Sequence, residues 1–209
     1  MRKISLDKYI LAFLITFIIF MAGVFLSQKI SGSTADAVLR DQKEIENYIL
    51  GLTLQSEIAS KFICNVDVFE LTKDKVEIGK RVDILEKNLG KDDPTVKDLK
   101  QKYFLLSVRQ WILVKEKKEK CNENFSIIIF FYSNKINKSE SESQGYVLDY
   151  LYEKRQNSTA IYSFDIDEDM QVLNTIKSIY KVDSAPSIIV NDKLFSGFQS
   201  KENIESILT

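Results

Sequence analysis

Two cysteines, Cys64 and Cys121, are the only thiols in this sequence, and there is no histidine. Without histidine the Ser-His and Cys-His nucleophile pairs and the usual proton shuttle near neutral pH are excluded. Two thiols cannot build a four-thiolate zinc or iron–sulfur centre within one chain. Three uses remain for the pair: a structural disulfide, two buried thiols, or a redox couple. The acidic run at 164–170, FDIDEDM, offers Asp165, Asp167, Glu168 and Asp169 as hard oxygen ligands. It lacks the glycine and distal glutamate of the twelve-residue calcium loop, and acids at the positive end of the next helix are the simpler reading. No metal and no cofactor is expected.

The chain is 209 residues long, 44% hydrophobic and 28% charged, with a formal net charge of −1. That is enough apolar material for a real core and one or two domains. No basic field recruits nucleic acid, so no nucleic-acid partner is expected.

From Tyr9 to Gln28 there is no charged residue, and 9–26 reads YILAFLITFIIFMAGVFL. A helix of about 20 such residues matches the roughly 30 Å hydrocarbon core of a bilayer. Arg2, Lys3 and Lys8 precede it against Asp7 alone. The positive-inside rule then places the N-terminus in the cytoplasm and the body after Gln28 outside, held by a single-pass membrane anchor. A cleaved signal peptide would have a shorter apolar core with a small-x-small site close behind it. Residues 1–30 are read as cytoplasmic stub and transmembrane helix.

Residues 31–121 read as an all-α section of three helices. The first runs from about Thr34 to Ile63 with Val38, Ile45, Ile49, Leu52 and Ala59 on one stripe. The second, about 67–89, carries Ile78, Val82, Leu85 and Leu89 and stops at Gly90. The third opens at Asp92-Asp93-Pro94 and carries Val96, Leu99, Tyr103, Leu106, Gln110 and Leu113 at spacings of three and four. Helices two and three are similar in length and joined by a short turn. An up-down-up bundle therefore returns Cys121 to the end where Cys64 leaves, and a Cys64–Cys121 disulfide is expected, as an oxidising exterior allows.

Residues 122–209 alternate strand and helix. Strands are expected at Phe125–Tyr132, Ala160–Phe164, Ser187–Val190 and Leu194–Phe195, the last two joined through Asn191-Asp192. Helical spacing appears at Tyr146, Val147, Tyr150 and Leu151, again around Met170, Leu173, Ile176 and Tyr180, and in a short helix over 202–208. The order β-α-β-α-β-β-α places helices on both faces of a four-stranded sheet.

From about Asn124 to Thr209 this region resembles the thioredoxin fold. Phe130-Phe131-Tyr132-Ser133 ends the first strand, Ala185-Pro186 precedes the third, and Gly197-Phe198 follows the hairpin. The resemblance implies a cis Pro186 facing the site, and a bound peptide pairing with the backbone of Ala185. Redox members carry Cys-x-x-Cys between the first strand and its helix. Here 133–143 reads SNKINKSESES, without a cysteine, and Ser139 with Glu142 or Ser141 with Gln144 fits a capping box instead. The expectation is therefore an extracytoplasmic, membrane-anchored thioredoxin-like protein without dithiol chemistry. It binds or scaffolds a protein or peptide around Tyr132, Ala185 and Pro186. The alternative is a thiol–disulfide oxidoreductase or electron relay using Cys64 and Cys121.

Overall fold

The computed structural model describes residues 6–155 and 158–208, with side chains for all of these except 6–9, 25–38, 71 and 72. The chain divides into two compact units, Met1–Glu44 and Ile45–Thr209. Helix α1 runs without a break from Leu6 to Lys61. Two helices were expected here, but the only prolines are Pro94 and Pro186, so no residue in this stretch forbids continuation.

The expected transmembrane helix is not found: among the described residues no helix is long and apolar enough to cross a membrane. The described side chains of the apolar run are Ile10–Val24, all exposed. Tyr9 and residues 25–28, which the expectation also used, lie outside the described side chains, as does Val38.

Within 45–209, a 3-10 turn at Ile63–Asn65 precedes α2 (Val68–Leu89) and α3 (Pro94–Cys121). Asp67 caps α2 by accepting from the Phe69 N–H, and Asp93 caps α3 by accepting from Thr95 and Val96. Gly90 ends α2 at φ +90°, a conformation that only glycine adopts without strain. The three helices bury the expected stripe residues together: Ile45, Ile49 and Leu52 against Ile78, Val82 and Leu85, and both against Val96, Leu99 and Leu106. Leu89, placed on that stripe from its spacing, is exposed because it sits in the last turn of α2.

Strands β1 (Ser126–Tyr132), β2 (Thr159–Asp165), β3 (Ser187–Val190) and β4 (Lys193–Ser196) form one sheet in the order β2-β1-β3-β4. β1 and β2 are parallel, pairing Ser126 with Thr159 through Tyr132 with Asp165. β3 is antiparallel to both β1 and β4. Helices α4 (Lys138–Lys154), α5 (Gln171–Tyr180) and α6 (Lys201–Ile207) complete the region. Alternation along β1 divides its residues between two cores. Ile127, Ile129 and Phe131 pack with α3 and α5 through Phe104, Val108 and Leu173. Ile128 and Phe130 pack on the other face with Leu148 and Leu151 of α4 and Ile204 of α6.

α3 thus serves two cores, one with α1 and α2 and one with the sheet, so packing is continuous across residue 121. α4 presents Ser141, Gln144, Leu148 and Leu151 inward, whereas the expected Tyr146 and Tyr150 are exposed. The two polar positions are buried because the loops at this end of the sheet bond to them.

Candidate functional site

The stretch from Ser133 to Asn137, between β1 and α4, contains no thiol, and its Ser133, Asn134 and Asn137 side chains are each hydrogen-bonded. Ser133, 2% exposed, accepts from the N–H groups of Lys135 (3.0 Å) and Ile136 (2.9 Å). Its hydroxyl donates to Asp167 Oδ2 (2.8 Å), and its own N–H donates to Ser141 Oγ (3.1 Å). Neither expected capping box forms. α4 starts instead at Asn137 in the left-handed conformation, with no side-chain cap. That conformation frees the Asn137 carboxamide, whose Nδ2 donates to the Ala185 carbonyl at 3.1 Å.

The Ala185–Pro186 bond is cis, as the resemblance implied. Both residues are buried, and the Pro186 carbonyl accepts from Gly197 at 2.8 Å, with Gly197 at φ +76°. The backbone that a peptide would pair with is therefore already met on one side by Asn137. Tyr132 stands at the end of β1, half-buried, and burial, with Asp165 second, pushes its phenol well above the usual range.

Asp165 gathers the loop. Its carboxylate accepts from Asn134 Nδ2 (2.9 Å), Lys100 Nζ (3.4 Å) and the Asp167 N–H (3.0 Å). Lys100 also lies 3.6 Å from Glu86 of α2, tying helices and sheet together at this point. The acidic run is spent on such contacts, Asp169 accepting from Asn174 Nδ2 at 3.0 Å. The acids do not cap α5, which has no side-chain cap. Among the described residues no cluster of three acids or cysteines could hold a metal ion.

Cys64 and Cys121 form a disulfide with a Cα–Cα distance of 5.5 Å across 57 residues of chain, so no cysteine is free. Lys117, 6% exposed, reinforces this corner by donating to the carbonyls of Ile63 (3.3 Å) and Val66 (2.8 Å).

A cleft of about 720 Å³ opens between α2 and α4, with Tyr132, Phe130, Ile161 and Ser163 among the residues lining it. Lys75, Lys80, Lys87, Lys91 and Lys100 line it against Asp83, Glu86 and Asp149. Burial pushes the carboxyls of Asp83 and Asp149 up. Gly79 leaves room for the Tyr103 hydroxyl, which would lie 3.0 Å from a Cβ placed there. Burial pushes that hydroxyl up to about 12.

Lys75 is 3% exposed, donates to the Ile161 carbonyl at 2.9 Å, and lies 4.1 Å from the centre of the Tyr162 ring. Burial alone lowers its ammonium to about 7. Sequence reasoning missed it, although a lysine three residues before Ile78 on an apolar stripe was a usable signal. A smaller cleft of about 400 Å³ beside Trp111 is closed by its own bonds, Lys115 to Asp192 at 2.6 Å and Lys118 to Asn191 at 2.9 Å.

A parallel β1–β2 pair, an antiparallel β3–β4 hairpin in the order β2-β1-β3-β4, helices on both faces and a cis-proline before β3 define a thioredoxin-like fold for residues 126–207. No protein-family model matches the chain, and no curated protein matches it. Among solved structures, chloroplastic thioredoxin z is similar at 15% identity over 45% of this chain and 84% of that one, with a TM-score of 0.35. Thioredoxin-2, described as a component of malaria parasite protein secretion machinery, is 18% identical over 41% of this chain and 82% of that one, TM-score 0.33. The germline-specific thioredoxin Deadhead of Drosophila melanogaster is 15% identical over 44% and 84%, TM-score 0.31.

Proposed function

We propose that this chain is a membrane-anchored, extracytoplasmic protein- or peptide-binding module on a thioredoxin-like scaffold that has no dithiol chemistry. The observation that carries this reading is the β1–α4 loop. It keeps the cis-proline opposite it but holds Ser133, Asn134 and Asn137 where thiols would act, all engaged in hydrogen bonds. Both cysteines of the chain are committed to the disulfide elsewhere, so no thiol remains for exchange at this loop. Tyr132, Ala185 and Pro186 form the peptide-contact surface, and Asn137 acts as its latch by covering the Ala185 carbonyl. A bound peptide takes that carbonyl from Asn137.

Residues 9–28 are the anchor, with the N-terminus cytoplasmic and the body outside. Support comes from the exposed side chains of Ile10–Val24, Phe13 at 70% and Ile19 at 66% among them, a contiguous apolar surface that water does not favour. Alkaline extraction of membranes tests this directly. The chain is expected to stay in the pellet, and its release would remove the anchor.

For binding, the test is pull-down by the full-length chain in detergent. Ala185→Arg is expected to abolish it, and Asn137→Ala is expected to preserve or increase it. Unchanged pull-down by Ala185→Arg would overturn the surface.

The second reading is a thiol–disulfide relay through Cys64 and Cys121, favoured by one observation: Cys64 is exposed. A structural bond sits below about −300 mV and resists the glutathione pool. Ready exchange in a dithiol buffer at about −200 mV would promote the relay.

A further inference from the structure

The outer edge of β2 is unpaired in the sheet. Ser126 donates to the Ser158 carbonyl at 2.9 Å, and Ile166 donates to the Tyr132 carbonyl at 2.8 Å. Even-numbered residues of β2 therefore turn their backbone groups toward β1, and odd-numbered ones turn them outward. Three outward groups are covered from within the chain, one of them the Asp165 carbonyl, which accepts from the Glu168 N–H at 3.3 Å. The Thr159 N–H donates to the Arg155 carbonyl at 3.1 Å, and the Ile161 carbonyl accepts from Lys75. The Ile161 amide and both backbone groups of Ser163 face the α2–α4 cleft, which these two residues line.

Three observations converge on this edge. Its volume, about 720 Å³, lies in the range of ligand sites. Along α2 it extends from Lys75 to Lys87, about 18 Å at 1.5 Å per residue, matching five to six residues of extended chain at about 3.3 Å each. Lysines outnumber carboxylates on its lining: Lys80, Lys87 and Lys91 face Asp83 and Asp149, with Lys100 paired to Glu86.

We propose that the α2–α4 cleft receives an acidic peptide in extended conformation, added as a fifth strand on the outer edge of β2. This goes beyond the peptide-binding reading, since the cleft is a separate site whose lining does not include Ala185 or Pro186. Backbone groups of Ile161 and Ser163 supply the strand pairing, and lysines on α2 select carboxylates on alternate side chains. Lys75 is the guard of the edge. It covers one carbonyl in the free protein from its place on α2. It has no carboxylate partner there, and burial disfavours its charge. The entering strand displaces Lys75 from the Ile161 carbonyl, and a peptide carboxylate becomes its counter-ion.

The test is fluorescence anisotropy of the full-length chain in detergent with a labelled hexapeptide alternating glutamate with valine, at low salt. Saturable binding is expected, weakened at least tenfold by methylating alternate peptide amides, which removes strand pairing and leaves the charges intact. Lys80→Glu with Lys87→Glu is expected to weaken it similarly, and Ala185→Arg to leave it unchanged. Ser163→Pro removes an outward N–H without touching the β1 ladder and is expected to weaken binding. Equal affinity of the methylated peptide, or no saturable binding, would overturn the proposal whether or not Ser163→Pro folds. Loss on Ala185→Arg with Ser163→Pro unaffected would place the peptide at the cis-proline, leaving the proposed function standing and this inference overturned.

Discussion

The Cys64–Cys121 corner, outside the thioredoxin-like region, and the Ser133–Asn137 loop, inside it, are held by opposite means. At the corner, both cysteine sulfurs close a covalent ring, backed by Lys117 on the carbonyls of Ile63 and Val66. At the loop, where a helix N-terminus stands ready to stabilise a thiolate, serine and asparagine side chains satisfy backbone groups and the carboxylates of Asp165 and Asp167. The comparison separates two things usually found together in this fold, sulfur and the cis-proline face. One can hold the chain in shape while the other remains as a surface.

The largest effect expected from breaking this comparison is at the corner. Reduction, or Cys64→Ser with Cys121→Ser, should lower unfolding free energy by about 4 kcal/mol, from the loop closed across 57 residues. Urea midpoints with and without reductant measure it, and a change below about 1 kcal/mol would assign the corner's stability to packing and Lys117. Ser133→Ala removes two accepted bonds and one donated bond in a buried loop, an expected loss of about 1–3 kcal/mol. The loss should be unchanged by reduction if the two regions are independent.

Lys75 serves as a reference outside both regions. Its folded value, about 7, lies below the ordinary 10.5, so the unfolded chain holds the extra proton between them. The destabilisation is then complete below pH 7 and is relieved as pH rises, by about 1.4 kcal/mol per pH unit at most. Denaturant curves of wild type and Lys75→Met from pH 7.5 to 9.5 should differ in this slope, the variant being flatter. Identical slopes would mean that Lys75 keeps its proton throughout. The smallest effect belongs to the latch: Asn137→Ala should lower stability by about 0.5–1.5 kcal/mol, read by the same curves.

Much of the scaffold was legible in residue order. Gly90, Asp93-Pro94 and Asn191-Asp192 mark their turns through local backbone preference, and β3 falls where its apolar run lies. The stripes on α2 and α3 predicted most of the helical core because burial follows the 3.6-residue period. The disulfide followed from the lengths of two helices. What stayed hidden depends on contacts distant in sequence. Nothing local says that Ser133 will bond Asp167, that Asn137 will reach Ala185, or that these bonds displace both capping boxes. The inward face of α4 was misplaced for the same reason, since Ser141 and Gln144 are buried by partners at Ser133 and Gln199. The continuity of α1 was missed because a change in composition was read as a break in the backbone.

The ring closed by Cys64 and Cys121 lies wholly before β1 in the chain. During synthesis from the N-terminus, both sulfurs exist before the first strand is made. The face of α3 bearing Phe104, Val108 and Val114, which becomes one wall of the sheet's core, can therefore be fastened in place first. The later strands then have one wall of their core already made from residues that precede them in the chain.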